Sequence, residues 1–572
     1  MANTILGKSK KTDKKEKPVA RDYVKLRQRF SSLMQKRQRY EKVWKDIKQY
    51  ELPHIGIFDD EEDLAKNKTG KIYNSTTWEA CQIFAAGVMS GLTPPSRQWF
   101  NLTMDNAQMA ANSDVAKILD ERQQILQAVL AKSNFYTTAF SCYTELPYGQ
   151  APMGIFTDPK YGVRYVPYTI GTYALEASAN GEISTFARRF RMTASQLVEQ
   201  FGTDNCPLNV LNAFKSSSSY NQTFIVNWLV EPNSERTIGE IGRSNMPYRS
   251  VYWVEGQETN RALYDGGFEE FPVPVARYTV VGHEAYGKGA AWFALDDARM
   301  LQKLEYDHLM AIELGVKPPM QAPSGIMGQV NLFPGGITES DTGEMVKPLF
   351  DVRLDTASLM NKIRETEDRI KRFYSADLFM MIDQIEGGQM TAREVMERSQ
   401  EKLQQLGPVV ERLLSEWLNP IIERTYNILD RAGIFPDLPD ELAQELADSD
   451  VKIEYISPLA QAQKMSSLTN IEQLLGFVAN AAQFDQSILG KLDLVQAVNI
   501  YASSLGAPAP MLKSDEEFQQ ALQAQQQAQQ QAQEQQQAMQ MAQAAPQMAQ
   551  AAKVATEAAN DGNPALQEWL GM

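Results

Sequence analysis

Two short stretches carry the residue types of a phosphate-binding loop. Gly7-Lys8-Ser9 has the lysine and hydroxyl that reach a nucleotide phosphate and its magnesium ion, but such a loop needs another glycine five residues earlier. Ala2 stands there, and no strand pattern precedes it. Gly287-Lys288-Gly289 lacks the third glycine and the strand-to-helix frame of a dinucleotide site, and reads as the approach to a helix starting at residue 290. Asp296, Asp297, Glu305 and Asp307 would hold a divalent ion only if they converged, whereas helical spacing spreads them over a solvated surface. Cys81, Cys142 and Cys206 are odd in number and far apart, and the three histidines, His54, His283 and His308, sit in no nucleophile motif. The thiols are expected to be reduced and partly buried. These residues spell no catalytic, cofactor or metal site, so the expectation is a protein that is not an enzyme and needs no cofactor.

Charge is more informative. The chain of 572 residues has 56 Lys+Arg against 71 Asp+Glu, a net of −15. Residues 1–50 hold 16 basic and 5 acidic side chains, or +11, so the remaining 522 residues carry −26. A protein that grips nucleic acid by neutralising phosphates needs a basic surface, and this body is the opposite. The basic tract reads either as a solvated arm or as one that docks an acidic partner or nucleic acid. Length predicts roughly three to five folding units. With 43% hydrophobic residues and no apolar run near the roughly 20 residues needed to span a bilayer, no membrane insertion is expected. No apolar h-region follows the first lysines, so no secretory signal is predicted, and the chain is expected to remain in a cytoplasm.

The elements that would position any site follow from periodicity. After a disordered lead over 1–18, Tyr23, Leu26, Phe30, Leu33 and Met34 have helical spacing, and a second helical stretch runs to about Tyr50. Asn74 or Ser75 caps a helix whose Ala85, Ala86, Gly87, Ser90 and Gly91 leave a small surface that another backbone can approach, and Thr93-Pro94-Pro95 ends it. Residues 113–145 are predicted helical. From about 150 to 286, alternating runs broken by Asn-Gly, Gly-Gly and Pro predict β-strands, interrupted by one helix capped by Thr193. Strand does not alternate with long helix, so the class is α+β. Helices are predicted at about 290–314 and 354–374, flanking a turn-rich insert. A helix with a capping box follows at Thr391/Glu394, then a bend at Gly407-Pro408, a strand at KIEYIS, and helices from Pro458 to about Ser504.

Residues 519–550 contain 17 Gln and 9 Ala. Such a tract is either disordered or helical; Ala521, Ala524, Ala528 and Ala532 trace a narrow seam that favours helices associating with copies of themselves. One class of function consistent with this is a scaffold or internal core protein assembling through that tract.

The wording and order of several segments, however, resemble the head-to-tail connector, or portal, proteins of short-tailed (podovirus-type) bacteriophages. They are Tyr73 to Leu102 (YNSTTWEACQIFAAGVMSGLTPPSRQWFNL), Gly181 to Gly202 (GEISTFARRFRMTASQLVEQFG), Tyr286 to Leu314, Gly387 to Tyr426, and Ile456 to Met465 (ISPLAQAQKM). The resemblance covers about residues 20–505.

It implies an α+β portal-type subunit with a mixed wing domain, a two-helix stem, a small α/β clip insert and a C-terminal helical crown or barrel. The parts would be a basic arm (1–18), wing (19–289), stem helices (290–315 and 352–375) around the clip (316–351), tunnel loop (376–390), wing return (391–504), crown or barrel (505–560) and tail (561–572). The resemblance further implies a homo-oligomeric ring of twelve at one capsid vertex. Double-stranded DNA would pass without sequence specificity, and the partners would be the packaging terminase, a tail adaptor, and capsid and scaffolding proteins. The subunit would sit in the virion after assembly in the host cytoplasm, with no membrane partner.

On this reading Phe379, Met380, Met381 and Ile382 form an apolar collar in the tunnel loop, or pack beneath the wing. Lys303, Lys362, Arg369 and Lys371 touch DNA weakly, or are plain helix-surface residues. Lys317, Met320, Phe333 and Pro334 are the expected clip contacts.

Overall fold

A computed structural model describes residues 23–58, 72–104, 113–237, 242–256, 262–321, 346–348, 356–380, 406–436, 451–456 and 474–478, with isolated positions between 524 and 553. The chain divides into two compact units. One comprises 1–102, 120–439 and 453–492; the other, 103–119, 440–452 and 493–572, is described only at a few segment ends and isolated positions.

In the larger unit, helix α1 (Tyr23–Tyr50) is continuous. The two helical stretches expected from the pattern merge because neither glycine nor proline interrupts residues 23–50. Helix α2 (Thr76–Leu92) follows, then strand β1 (Phe100–Met104), α3 (Ser113–Lys132) and α4 (Phe135–Glu145). The Asn74 side chain, not that of Ser75, satisfies the start of α2, accepting a hydrogen bond from the Thr76 amide at 2.9 Å.

The β-rich part forms two antiparallel sheets. Strands β2 (Gln150–Asp158) and β3 (Gly162–Pro167) pair with each other, and β9 (Val275–Arg277) joins β2, giving the order β3-β2-β9. The second sheet runs β4-β5-β6-β7-β8, from β4 (Tyr173–Ala177), β5 (Ile183–Thr193), β6 (Thr223–Pro232), β7 (Tyr248–Val254) and β8 (Tyr264–Phe268).

Its register decides which side chains share a face, since residues directly opposite point the same way. Ala174, Ala187, Leu229 and Val251 form one row, covered by Leu26, Phe30 and Leu33 of α1. One residue along, Tyr173, Arg188, Trp228, Tyr252 and Tyr264 form a row across all five strands on the other face. That face is partly covered by α5 (Ala194–Phe201) and α6 (Leu208–Lys215), whose Leu197, Phe201 and Val210 pack on Val226 and Val254. Thr193 caps α5, as the sequence predicts, and the structure adds a reciprocal box with Gln196; α6 was not expected.

Helix α7 (Ala290–Val316) and helix α8 (Thr356–Phe373) flank the short strands β10 (Met320–Gln321) and β11 (Lys347–Pro348), which pair antiparallel. Leu414–Leu418 is π-helical and leads into α9 (Asn419–Arg431). The Gly407-Pro408 pair, where a bend is expected, lies within helical backbone at 406–413; the irregularity falls at the π segment instead. Strand β12 (Val451–Tyr455) pairs with β1. Trp99 stacks between Phe135 and Tyr455, with ring centroids 6.1 and 6.3 Å away.

Helix and strand together make this an α+β chain. The predicted helix starting at Thr391 and those from Pro458 to Ser504 lie outside the described residues, except for helical backbone at 474–478.

Candidate functional site

The α7–α8 pair is the candidate, because it carries most of the residues singled out from the sequence. Its base is clamped by close backbone approach. A Cβ on Gly289 would lie 2.2 Å from the Pro147 carbonyl oxygen, and one on Gly287 would lie 2.3 Å from that of Gly149. The Gly287-Lys288-Gly289 triplet is therefore a contact between main chains and not a phosphate loop.

The first half of α7 is core. Ala290, Ala291, Ala294, Leu295, Ala298, Leu301 and Gln302 are buried, the alanines letting neighbouring segments come near. Gln302 is a polar hub. Its side-chain oxygen accepts from the Tyr73 and Asn74 amides (2.7 and 3.0 Å), and its side-chain nitrogen donates to the Asn74 and Tyr50 carbonyls (2.8 and 3.3 Å). One amide thus satisfies four main-chain groups that would otherwise be unpaired inside the protein. Asn74 extends this network, donating to Glu305 at 2.9 Å and Glu367 at 2.7 Å, and so ties α7 to α8.

Beyond Gln302 no residue of α7 is buried, and Tyr306, Leu309, Met310, Ile312, Leu314 and Val316 are exposed, Val316 by 71%. Among its described side chains helix α8 buries only the stripe Ile363, Thr366 and Ile370, followed by Tyr374, and exposes Met360 and Phe373. An apolar surface this long on one helix end marks a contact site.

Charge on the pair is nearly balanced. Helix α7 has five carboxylates (Asp296, Asp297, Glu305, Asp307, Glu313) against Arg299 and Lys303; α8 has Lys362, Arg364, Arg369, Lys371 and Arg372 against Glu365, Glu367 and Asp368. That is −3 and +2, a sum of −1. Three of the four candidate channel cations are engaged. Lys303 pairs with Asp307 at 2.6 Å, Lys362 with Glu365 at 3.0 Å, and Arg369 bridges to Asp297 of α7 at 2.8 Å. Lys371 makes no ion pair among the described residues, and Arg369 acts chiefly as an interhelical strut. The Glu365 carboxyl is held below its ordinary range by the Lys362 ammonium. No group of acidic, histidine or cysteine side chains able to hold a metal ion occurs among the described residues.

The proposed collar is split by the structure. Phe379 lies in helical backbone (376–380) and is buried, its ring 6.0 Å from Phe84 and lodged so tightly over Gly87 that a Cβ there would sit 2.1 Å from Phe379 Cγ. It is a packing residue inside the subunit. Met380 is exposed; Met381 and Ile382 lie outside the described residues, as do the expected clip contacts Phe333 and Pro334. Lys317 is exposed at the end of α7, and Met320 pairs with Pro348.

The turn before 376–380 is unusual. Ser375 has φ +53°, the one positive φ of a non-glycine among the described residues. Beside it the Tyr374 hydroxyl donates to the wholly buried Glu51 carboxylate at 2.8 Å, and burial raises the Glu51 pKa well above its ordinary value. Sequence reasoning missed Gln302, Glu51 and Ser375. Gln302 lies in mid-helix and Glu51 and Ser375 in turns; each is an ordinary polar residue that nothing in local pattern distinguishes.

All three cysteines are buried and unbridged, and burial pushes the Cys206 thiol up to about 11, so they are inert as nucleophiles. Among the described residues no helix is long and apolar enough to cross a membrane.

The family model described as "Bacteriophage head to tail connecting protein" matches residues 24–512. The chain is 34% identical over 515 residues to a portal protein of Salmonella phage epsilon15, covering 88% of this chain and 91% of that protein. It is 32% identical over 487 residues to a probable portal protein of Bordetella phage BPP-1, covering 84% of this chain and 87% of that protein.

Proposed function

The chain belongs to the bacteriophage head to tail connecting protein family, as a phage portal protein, and from that premise we propose that its copies close into a ring of twelve around a channel for double-stranded DNA. The observation that carries this is the open half of α7: six exposed apolar side chains that the subunit leaves uncovered. Head-to-tail contacts between such surfaces close a cycle when the rotation between copies divides a full turn.

In this reading α7 and α8 are the stem and residues 316–351 the clip, where Lys317, Met320, Phe333 and Pro334 meet the terminase during packaging and a tail adaptor afterwards. Residues 376–390 are the tunnel loop, and 505–560 the crown or barrel. The ring sits at one capsid vertex, assembled in the host cytoplasm with capsid and scaffolding proteins, and admits, retains and releases the genome.

The mechanism is guidance without grip. Each free cation near a phosphate adds a sequence-independent hold and slows sliding. A helix pair of net charge −1, with four of its seven cations paired to carboxylates, holds the duplex weakly, while the acidic body repels it towards the axis. Lys371, with Arg364 and Arg372, which also make no ion pair among the described residues, and the exposed Met380 are the remaining touch points. No chemical step is assigned to the subunit.

Electron microscopy of the purified chain tests the reading. Twelvefold top views with a central opening wide enough for a duplex are expected. A monomer under all assembly conditions, or open filaments, overturns it.

A further inference from the structure

Arginines buried in this unit are matched to carboxylates. Arg277 holds Glu416 through two bonds of 2.7 and 2.8 Å, and Arg424 holds Glu270 at 2.8 Å. On strand β5 even the exposed Arg189 pairs with Glu255 at 2.8 Å. Its neighbour Arg188 is different. It points to the opposite face of the sheet, in the row between Tyr173 and Trp228. Its guanidinium lies 4.6 Å from the ring centroid of Tyr168 and 4.4 Å from that of Phe190. Nε is buried without a hydrogen bond, and no carboxylate pairs with the guanidinium among the described residues. The residue as a whole keeps partial access to solvent.

Phe190 belongs to the cluster under α5 and α6, whereas Tyr168 packs on Phe186 and Trp228. The guanidinium therefore sits at the seam between two packed blocks. A cation taken from water without a counter-charge destabilises the fold, and burial lowers its affinity for its proton. Flanking rings recover part of that cost and, more importantly, hold the planar fork in one place. A preorganised fork binds an oxyanion with little further ordering.

We propose that Arg188 receives a carboxylate of a second copy of this chain, forming an ion pair that exists only in the assembled ring. The charge distribution favours that source, since residues 51–572 carry −26, so the partner copy offers carboxylates in abundance. This rests on the ring reading above.

The test is Arg188→Met in the full chain, with Arg188→Lys beside it. Thermal midpoint is measured below the concentration at which wild type assembles, and ring fraction by sedimentation velocity above it. Methionine replaces the buried stem without a charge, so the midpoint of the variant should lie within about 2 °C of wild type or above it. The concentration needed for half-assembly should rise about tenfold or more, with lysine in between because it lacks the fork. Wild-type assembly by Arg188→Met overturns the proposal, as does a midpoint lower by many degrees, which would make Arg188 a stacking residue of the fold. Unchanged assembly with lost affinity for duplex DNA would assign the oxyanion to a phosphate and also overturn it. A wild-type chain that never forms rings sinks the ring reading, and this inference with it.

Discussion

The two halves of α7 share one helix and one periodicity, yet they live in different surroundings. From Ala290 to Gln302 the helix buries seven residues and anchors four main-chain groups through one side chain; from Lys303 to Val316 it buries none and exposes apolar groups. The difference teaches that the subunit uses the first half for its own stability and leaves the second uncovered, the surface that the proposed ring would use. Apolar surface on a helix contributes stability only when something covers it, at about 25 cal/mol per Å².

The comparison breaks most sharply under paired truncations. Leu301→Ala, at a position fully buried, should cost about 2–5 kcal/mol in chemical unfolding of the unassembled chain. Leu309→Ala, half exposed, should stay within about 0.5 kcal/mol there and instead weaken ring formation. Equal costs at the two sites would erase the distinction.

Gln302→Ala comes next. It leaves main-chain groups of Tyr50, Tyr73 and Asn74 unpaired, at about 1–3 kcal/mol, with faster amide exchange at Tyr73 and Asn74 as the readout. Gly87→Ala should cost about 1–3 kcal/mol by displacing the Phe379 ring, and Phe379→Ala in the same chain should relieve the clash, making the two changes non-additive.

A pH series sharpens the contrast further. Glu145, the last residue of α4, accepts the Ile170 amide at 3.0 Å, and burial pushes its carboxyl up to about 8 from 4.5. Because the folded value is the higher, this group's contribution to stability is full below about pH 4.5 and is lost as pH rises through about 8. Glu145→Gln should flatten that decline between those limits; an unchanged slope would place the titration elsewhere. The smallest effect is expected at Lys303→Ala, which breaks a solvent-exposed pair with Asp307 and a contact of the ammonium with the exposed Tyr306 ring, and should leave the thermal midpoint of the unassembled chain unchanged.

Much was legible in the residues themselves. The Thr193 cap, the stop at Thr93-Pro94-Pro95 and the span of α7 all rest on contacts within a few positions of one another, which local pattern encodes. The β1–β12 pairing was not, because its partners are some 350 residues apart, and the alternation of FNLTM and VKIEY marks each as a strand without saying which strand it joins. Of the residues nominated for DNA, the apolar run at Phe379 and Met380 looks uniform in sequence, and only the notch over Gly87 separates a buried ring from an exposed thioether. Lys303, Lys362, Arg369 and Lys371 likewise look equivalent until Asp307, Glu365 and Asp297 are found beside the first three.

By itself the sequence determined the α+β class, most of the described helices and the Thr193 cap, the acidic body behind a basic arm, and the family, since these depend on period, turn chemistry, composition and the order of segments. The tertiary structure decided which face of each element is covered, which cations are already neutralised, and that Arg188 is matched, among the described residues, by rings but by no carboxylate. The physical reason is that periodicity states which side of a helix or strand is apolar, whereas burial and pairing depend on what the rest of the chain brings against it.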